Sequence, residues 1–159
     1  MSPTPPADPE RPPQQQVASL RHGTVVDHLN PGMALKALEV LGIPATGAAL
    51  LGINLESAKM VRKDILKLEN VEISEADVAR LALFGPQATV SWIRDYRVVR
   101  KVQAKLPDTI AGILRCPNPG CISNHERIES RFGVERRRPL LVRCAYCERA
   151  IEEAEFVLR

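Results

Sequence analysis

The spacing of hydrophobic and polar positions changes along this chain, and each change marks an element. Residues Val17–Leu29 (VASLRHGTVVDHL) are rich in β-branched side chains around Gly23, which predicts an edge segment running into a strand. Beyond Asn30 the apolar residues Ala34, Leu38 and Leu41 recur at helical spacing. Asn30 as N-cap, Pro31 at the first helical position and Gly42 past the last turn frame a helix over 31–42. Met33 and Leu35 are assigned to the core with it. Ala48–Leu55 predicts a strand, with a turn around Glu56-Ser57-Ala58. Val61–Glu69 then alternates strictly, with Val61, Lys63, Ile65, Lys67 and Glu69 on one face and Arg62, Asp64, Leu66 and Leu68 on the other. Lys63 and Lys67 therefore project together on either side of Ile65. Taken alone, that is a solvated charged face.

A second helix is predicted over Ser74–Gly85. Ser74 caps it, Glu75 and Asp77 lie in its first turn, and Gly85-Pro86 ends it. Ala88–Ile93 and Tyr96–Val102 follow as strands joined by a tight turn at Arg94-Asp95. Strand, helix, strand, strand, helix, strand, plus one extra strand, is the order of an α+β sandwich of ferredoxin-like type. Two helices would cover one face of an antiparallel sheet. Leu106-Pro107-Asp108 looks like a linker. Beyond it Leu140–Arg143 and Phe156–Leu158 are strand-like, and a small β-rich domain is expected. The expected division is a tail at 1–16, an α+β domain at 17–105 and a second domain at 106–159.

Composition narrows what these domains can be. Hydrophobic residues make up 45% of the 159 and charged residues 26%, which is the balance of a globular protein. Six of the thirteen prolines precede residue 14, so the first sixteen residues suit neither helix nor sheet. They are expected to be a disordered tail, with a proline-rich docking peptide as the alternative. They hold no apolar signal core, and no run of eighteen apolar residues follows, so neither secretion nor membrane insertion is expected. A cytoplasmic location is expected.

All four cysteines lie in the second domain, as Cys116-Pro-Asn-Pro-Gly-Cys121 and Cys144-Ala-Tyr-Cys147. Two close pairs match the spacing of a four-cysteine zinc site, in which the thiolates leave no position open for water or substrate. Two disulfides are the alternative, but nothing in the sequence suggests export. A domain of this size buries little apolar surface, and a structural metal would offset the shortfall.

The runs Arg21–His28 (RHGTVVDH), Arg62–Asn70 (RKDILKLEN), Pro86–Val90 (PQATV), Cys121-Ile-Ser123 after Cys116, and Cys144–Glu148 (CAYCE) occur in order. Together they resemble the regulatory chain of aspartate carbamoyltransferase from about Val17 to the C-terminus. The resemblance implies a non-catalytic subunit whose first domain binds ATP and CTP, often with UTP, and pairs with a second regulatory chain. It implies that the zinc domain docks on the catalytic chain, whose active sites condense carbamoyl phosphate with aspartate at the start of pyrimidine synthesis. Carried over, Val17, Ser19 and Leu20 would cover the base, Asp27 and Lys67 reach ribose and base, and His28 and Lys101 the phosphates. Lys63, Ser91, Tyr96 and Val98 would line the same pocket. Ser91 stands where an asparagine is expected, and Arg100 replaces a small residue beside Lys101. In the zinc domain Gly120 and Ala145 replace polar or basic residues, leaving Asn118, Tyr146 and Glu148 for docking.

The main alternative is a zinc-ribbon nucleic-acid-binding protein, suggested by the cysteines and the Arg136-Arg137-Arg138 run. Nine arginines against eight acids from Asp108 onward, with few aromatics, argue against it. Enzymatic activity has less support still. A metal closed off by four thiolates binds no substrate, no glycine-rich phosphate loop occurs, and His22 and His125 are unpartnered by spacing.

Overall fold

The computed structural model describes residues 19–42 and 47–159. The tail and the Val17 assignment lie outside these residues. The described chain folds as β1 (Gly23–Leu29), α1 (Ala34–Leu41), β2 (Ala49–Ser57), β3 (Val61–Glu69), α2 (Glu75–Leu81), β4 (Thr89–Arg94) and β5 (Arg97–Gln103). Then come β6 (Thr109–Ala111), β7 (Leu114–Arg115), β8 (Arg131–Arg137), β9 (Leu140–Cys144), β10 (Ala150–Glu152) and β11 (Val157–Leu158).

The first sheet is antiparallel in the order β2-β3-β1-β4-β5, the ferredoxin-like arrangement with β5 added at its edge. The inner side chains Val26, Leu66, Leu68, Val90 and Trp92 are buried together with Ala34 and Ala37 of α1 and Val78 and Leu81 of α2. No helix among the described residues covers the opposite face. Ser74 caps α2 as expected, completing a reciprocal capping box with Asp77. On the helix side Arg100 lies over the Trp92 ring, 4.8 Å from its centroid, and pairs with Glu75.

Several expectations need correction. Helix α1 begins at Ala34, not Pro31, and Asn30 does not cap it. Gly32 has φ +82, outside the helical region, and the Met33 N–H closes a turn onto the Asn30 carbonyl at 3.1 Å. The helix is capped from another element. Asp64 of β3, fully buried, accepts from the Ala34 N–H at 3.0 Å through Oδ2 and from the Asn54 N–H at 2.8 Å through Oδ1. Leu35, assigned to the core, is 62% exposed because α1 turns that position to solvent. The β4–β5 turn is Asp95-Tyr96, both at positive φ, as a two-residue hairpin turn joining these strands requires.

The second half holds a four-stranded sheet, β10-β9-β8-β6, and a β7–β11 pair, around Ile110, Leu114, Phe132, Val142 and Ile151. Arg136 and Arg137 end β8. Their side chains stay exposed while their backbones pair with β9. Both are satisfied internally, Arg136 by the Pro139 carbonyl and Arg137 by the Leu106 carbonyl and Asp108.

Candidate metal centre and effector face

The two cysteine loops meet. All four Sγ atoms lie within 4.8 Å of one another, with Cys116–Cys147 at 3.6 Å and Cys121–Cys144 at 3.7 Å. A disulfide needs about 2.05 Å, so the four are free thiols. Thiolates around a tetrahedral ion at about 2.3 Å have edges of about 3.8 Å, close to both separations. Asn124 locks the first loop by donating to the carbonyls of Cys116 and Asn118, both at 2.9 Å. Burial pushes the Cys116 thiol up to about 12. At Cys147 burial acts in the same direction, but the Arg149 N–H, the Asn118 side chain, Cys116 and Cys144 outweigh it and bring the thiol to about 7. Four thiolates this close repel one another unless a cation lies among them, so the donor set fits a metal ion.

The open face of the first sheet gathers the other candidates. Strand register lays Leu50, Lys67, Val25, Ser91 and Lys101 in one row across all five strands. The next row brings Asp27 opposite Thr89. A bulge in β1 between Val26 and Leu29, with His28 at φ +59, turns consecutive Asp27 and His28 to the same side. His28 Nδ1 is 3.3 Å from Thr89 Oγ1 and 3.7 Å from Asp27 Oδ1. Lys63 Nζ donates to Asp27 at 2.8 and 3.0 Å. Leu20 touches the site where a Gly23 Cβ would stand, and the Arg21 carbonyl accepts from the Tyr96 N–H at 3.1 Å, so the entering chain lies beside the β4–β5 turn. Tyr96 and Val98 are 64% and 57% exposed at that end, and Ser19 is exposed at the start of the described chain.

Two contributors were missed from sequence. Thr89 holds the imidazole, and Lys59 lies close enough to act on it electrostatically. Strand register could have located Thr89, whereas a turn lysine gives no signal. Arg100 lies on the opposite face and contributes nothing to this site. His22 has a partner after all, its Nε2 being 3.6 Å from Asp95 Oδ1. His125 reaches the Pro119 carbonyl at 2.6 Å.

Charge on this face is mostly positive. Burial lowers the His28 pKa, Asp27 opposes that, and Lys63, Lys59 and Lys101 lower it further. Burial also lowers Lys67, offset in part by Asp27. Unfolded, His28 takes its proton near 6.5, and folded it does so only at lower pH. Its contribution to stability is thus present above about pH 6.5 and lost as pH falls below it. Urea midpoints measured against pH should show this decline, and His28→Gln should remove that component.

Residues 15–105 match the family model "Aspartate carbamoyltransferase regulatory chain, allosteric domain", and residues 108–157 the "metal binding domain" of the same chain. Relatives with that name include one from Thermococcus gammatolerans, 48% identical over 91% of this chain and 97% of the relative. One from Pyrococcus abyssi is 48% identical over 89% and 95%. One from Methanocaldococcus jannaschii is 40% identical over 89% and 95%. A nucleic-acid-binding ribbon is not favoured, and the internal contacts of Arg136 and Arg137 count against it as well. With both domains matched in order and nearly half its residues identical to two such relatives, the chain belongs to the family of aspartate carbamoyltransferase regulatory chains, the non-catalytic subunits of that enzyme.

Proposed function

We propose that this chain binds ATP and CTP, with UTP, on the open face of its first sheet and passes their effect to the catalytic chain through the cysteine domain. The division at 17–105 and 106–159 is part of this proposal. The observation that carries it is the cluster of Lys59, Lys63, Lys67 and Lys101 around the adjacent Asp27 and His28, on a face that no helix among the described residues covers. A triphosphate needs fixed cations, and a carboxylate accepts well from ribose hydroxyls. His28 and Lys101 take the phosphates and Asp27 and Lys67 the ribose and base. Lys63, Ser91, Tyr96 and Val98 line the pocket, with Val17, Ser19 and Leu20 over the base.

Cys116, Cys121, Cys144 and Cys147 hold one structural zinc, which cross-links the two loops and leaves no open coordination position. The first domains of two chains pair as a homodimer, and the assembly works in the cytoplasm at the start of pyrimidine synthesis. No helix among the described residues is long and apolar enough to cross a membrane. Effectors act by binding two quaternary states with different affinity.

Calorimetry of the complex with its catalytic chain tests the proposal. Lys101→Ala should weaken ATP and CTP binding about tenfold to a hundredfold, the loss of one charged hydrogen bond of about 1.5–3 kcal/mol. Carbamoyl transfer without effector should be unchanged. An unaltered complex that binds neither nucleotide would refute the proposal.

A further inference from the structure

We infer that Asp64 is a positioning residue that ties the effector face to helix α1, so that occupancy of that face tightens the N-terminus of the helix. This rests on the nucleotide site proposed above. Lys63 and Asp64 are consecutive in β3, and a strand sends consecutive side chains to opposite faces. Lys63 reaches Asp27 on the open face, while the Asp64 carboxylate lies fully buried on the helix side.

Both of its oxygens serve backbone N–H groups that their own elements leave unpaired. Ala34 is the first residue of α1 and has no acceptor within the helix. Asn54, at φ +58, sits where β2 slips register against β3 between Gly52 and Leu55. A second slip, in β1 between Val26 and Leu29, places Leu29 opposite Asp64. Lys63-Asp64 therefore runs between two bulges, where the regular ladder is interrupted on both sides and a carboxylate fixes the geometry.

A buried anion that also faces the positive end of a helix does not readily leave its two donors. When phosphate or ribose draws on the Asp27–Lys63 pair, the movement of β3 reaches α1 through this carboxylate. Helix α1 is well placed to pass it on. Val40 shares a gap with Ile113 and Leu158, and Met33 shares one with Phe156 and Leu158, all three from the cysteine half.

The test is hydrogen exchange of residues 34–41 in the complex with the catalytic chain, with and without saturating ATP or CTP, alongside calorimetry. In the unaltered complex nucleotide should slow exchange of this segment about fivefold or more. Asp64→Asn keeps the side-chain volume and one acceptor oxygen. It should bind nucleotide within about threefold of the unaltered protein but lose the slowing. A purely structural role would raise exchange equally with and without nucleotide. Exchange in the unaltered complex that is indifferent to bound nucleotide would overturn the inference, as would slowing that persists in Asp64→Asn. Should the variant fail to assemble, exchange in the unaltered complex that ignores bound nucleotide still overturns the inference. Absence of any nucleotide binding would overturn the proposed function itself.

Discussion

Stripping the metal, or replacing Cys144 by serine, should unfold the strands β6–β11 and release the chain from its catalytic partner. Cys144 is buried beside Cys121 at 3.7 Å and ends β9, where Phe132 and Val142 form the centre of the small core. The apolar residues at that centre are few, and short strands of two or three residues such as β6, β7, β10 and β11 do not hold together alone. Structural zinc contributes apparent binding energies of about 10–16 kcal/mol at neutral pH, more than a whole domain of this size has in reserve. The loss should therefore be complete rather than graded. Metal content, circular dichroism and sedimentation with the catalytic chain would follow it. A metal-free chain that keeps its strands and stays in the complex would sink the structural role. The first sheet, with its own core, should persist.

Gly23→Ala should be the most damaging single change in that first half. Gly23 opens β1, the central strand, at φ +142, and pairs with both Glu69 and Ile93. A Cβ there would stand 2.0 Å from the Leu68 carbonyl oxygen and 3.0 Å from Leu20 Cδ2. The first obstacle is backbone of the neighbouring strand, which can yield only by breaking the ladder. Strained φ alone costs about 1–3 kcal/mol, and the collision adds to it, so a loss of about 3 kcal/mol or more is expected. Because Leu20 belongs to the segment entering the proposed nucleotide site, that proposal also expects effector binding to weaken. Chemical denaturation of the variant gives the first quantity and calorimetry the second. A variant within about 1 kcal/mol of the parent would show that the strands can separate there at little cost.

Much of this organisation was legible in the residues, and the failures have physical causes. The alternation of Val61–Glu69 placed Lys63 and Lys67 together because strand geometry has a period of two wherever pairing is regular. It also placed Asp64 on the buried side, but no local pattern tells that a carboxylate will cap a helix thirty residues away. The same gap misplaced the start of α1. Asn30-Pro31-Gly32 carries the signals of a helix start, and Gly32 used its freedom for a turn because a distant cap was available. The bulge that turns His28 beside Asp27 was invisible as well, since a register slip depends on both strands. In the second half the cysteine spacing pointed to the cluster directly. The strand β8 (RFGVERR) did not show itself, because an edge of arginines reads as loop until its partner β9 is known.

Trp92 is the single tryptophan of the chain, and the four cysteines are its only thiols. The indole is buried in the first sheet, donating from Nε1 to the Ile73 carbonyl at 3.2 Å with Arg100 across its ring, and every thiol lies in the second half. Each half thus carries its own optical label by natural composition. Indole emission follows the melting of the first-sheet half alone, and thiol reactivity follows the opening of the cysteine half. Recorded on one sample with a chromogenic thiol reagent, the two signals give the order in which the halves come apart without a tag or a mutation.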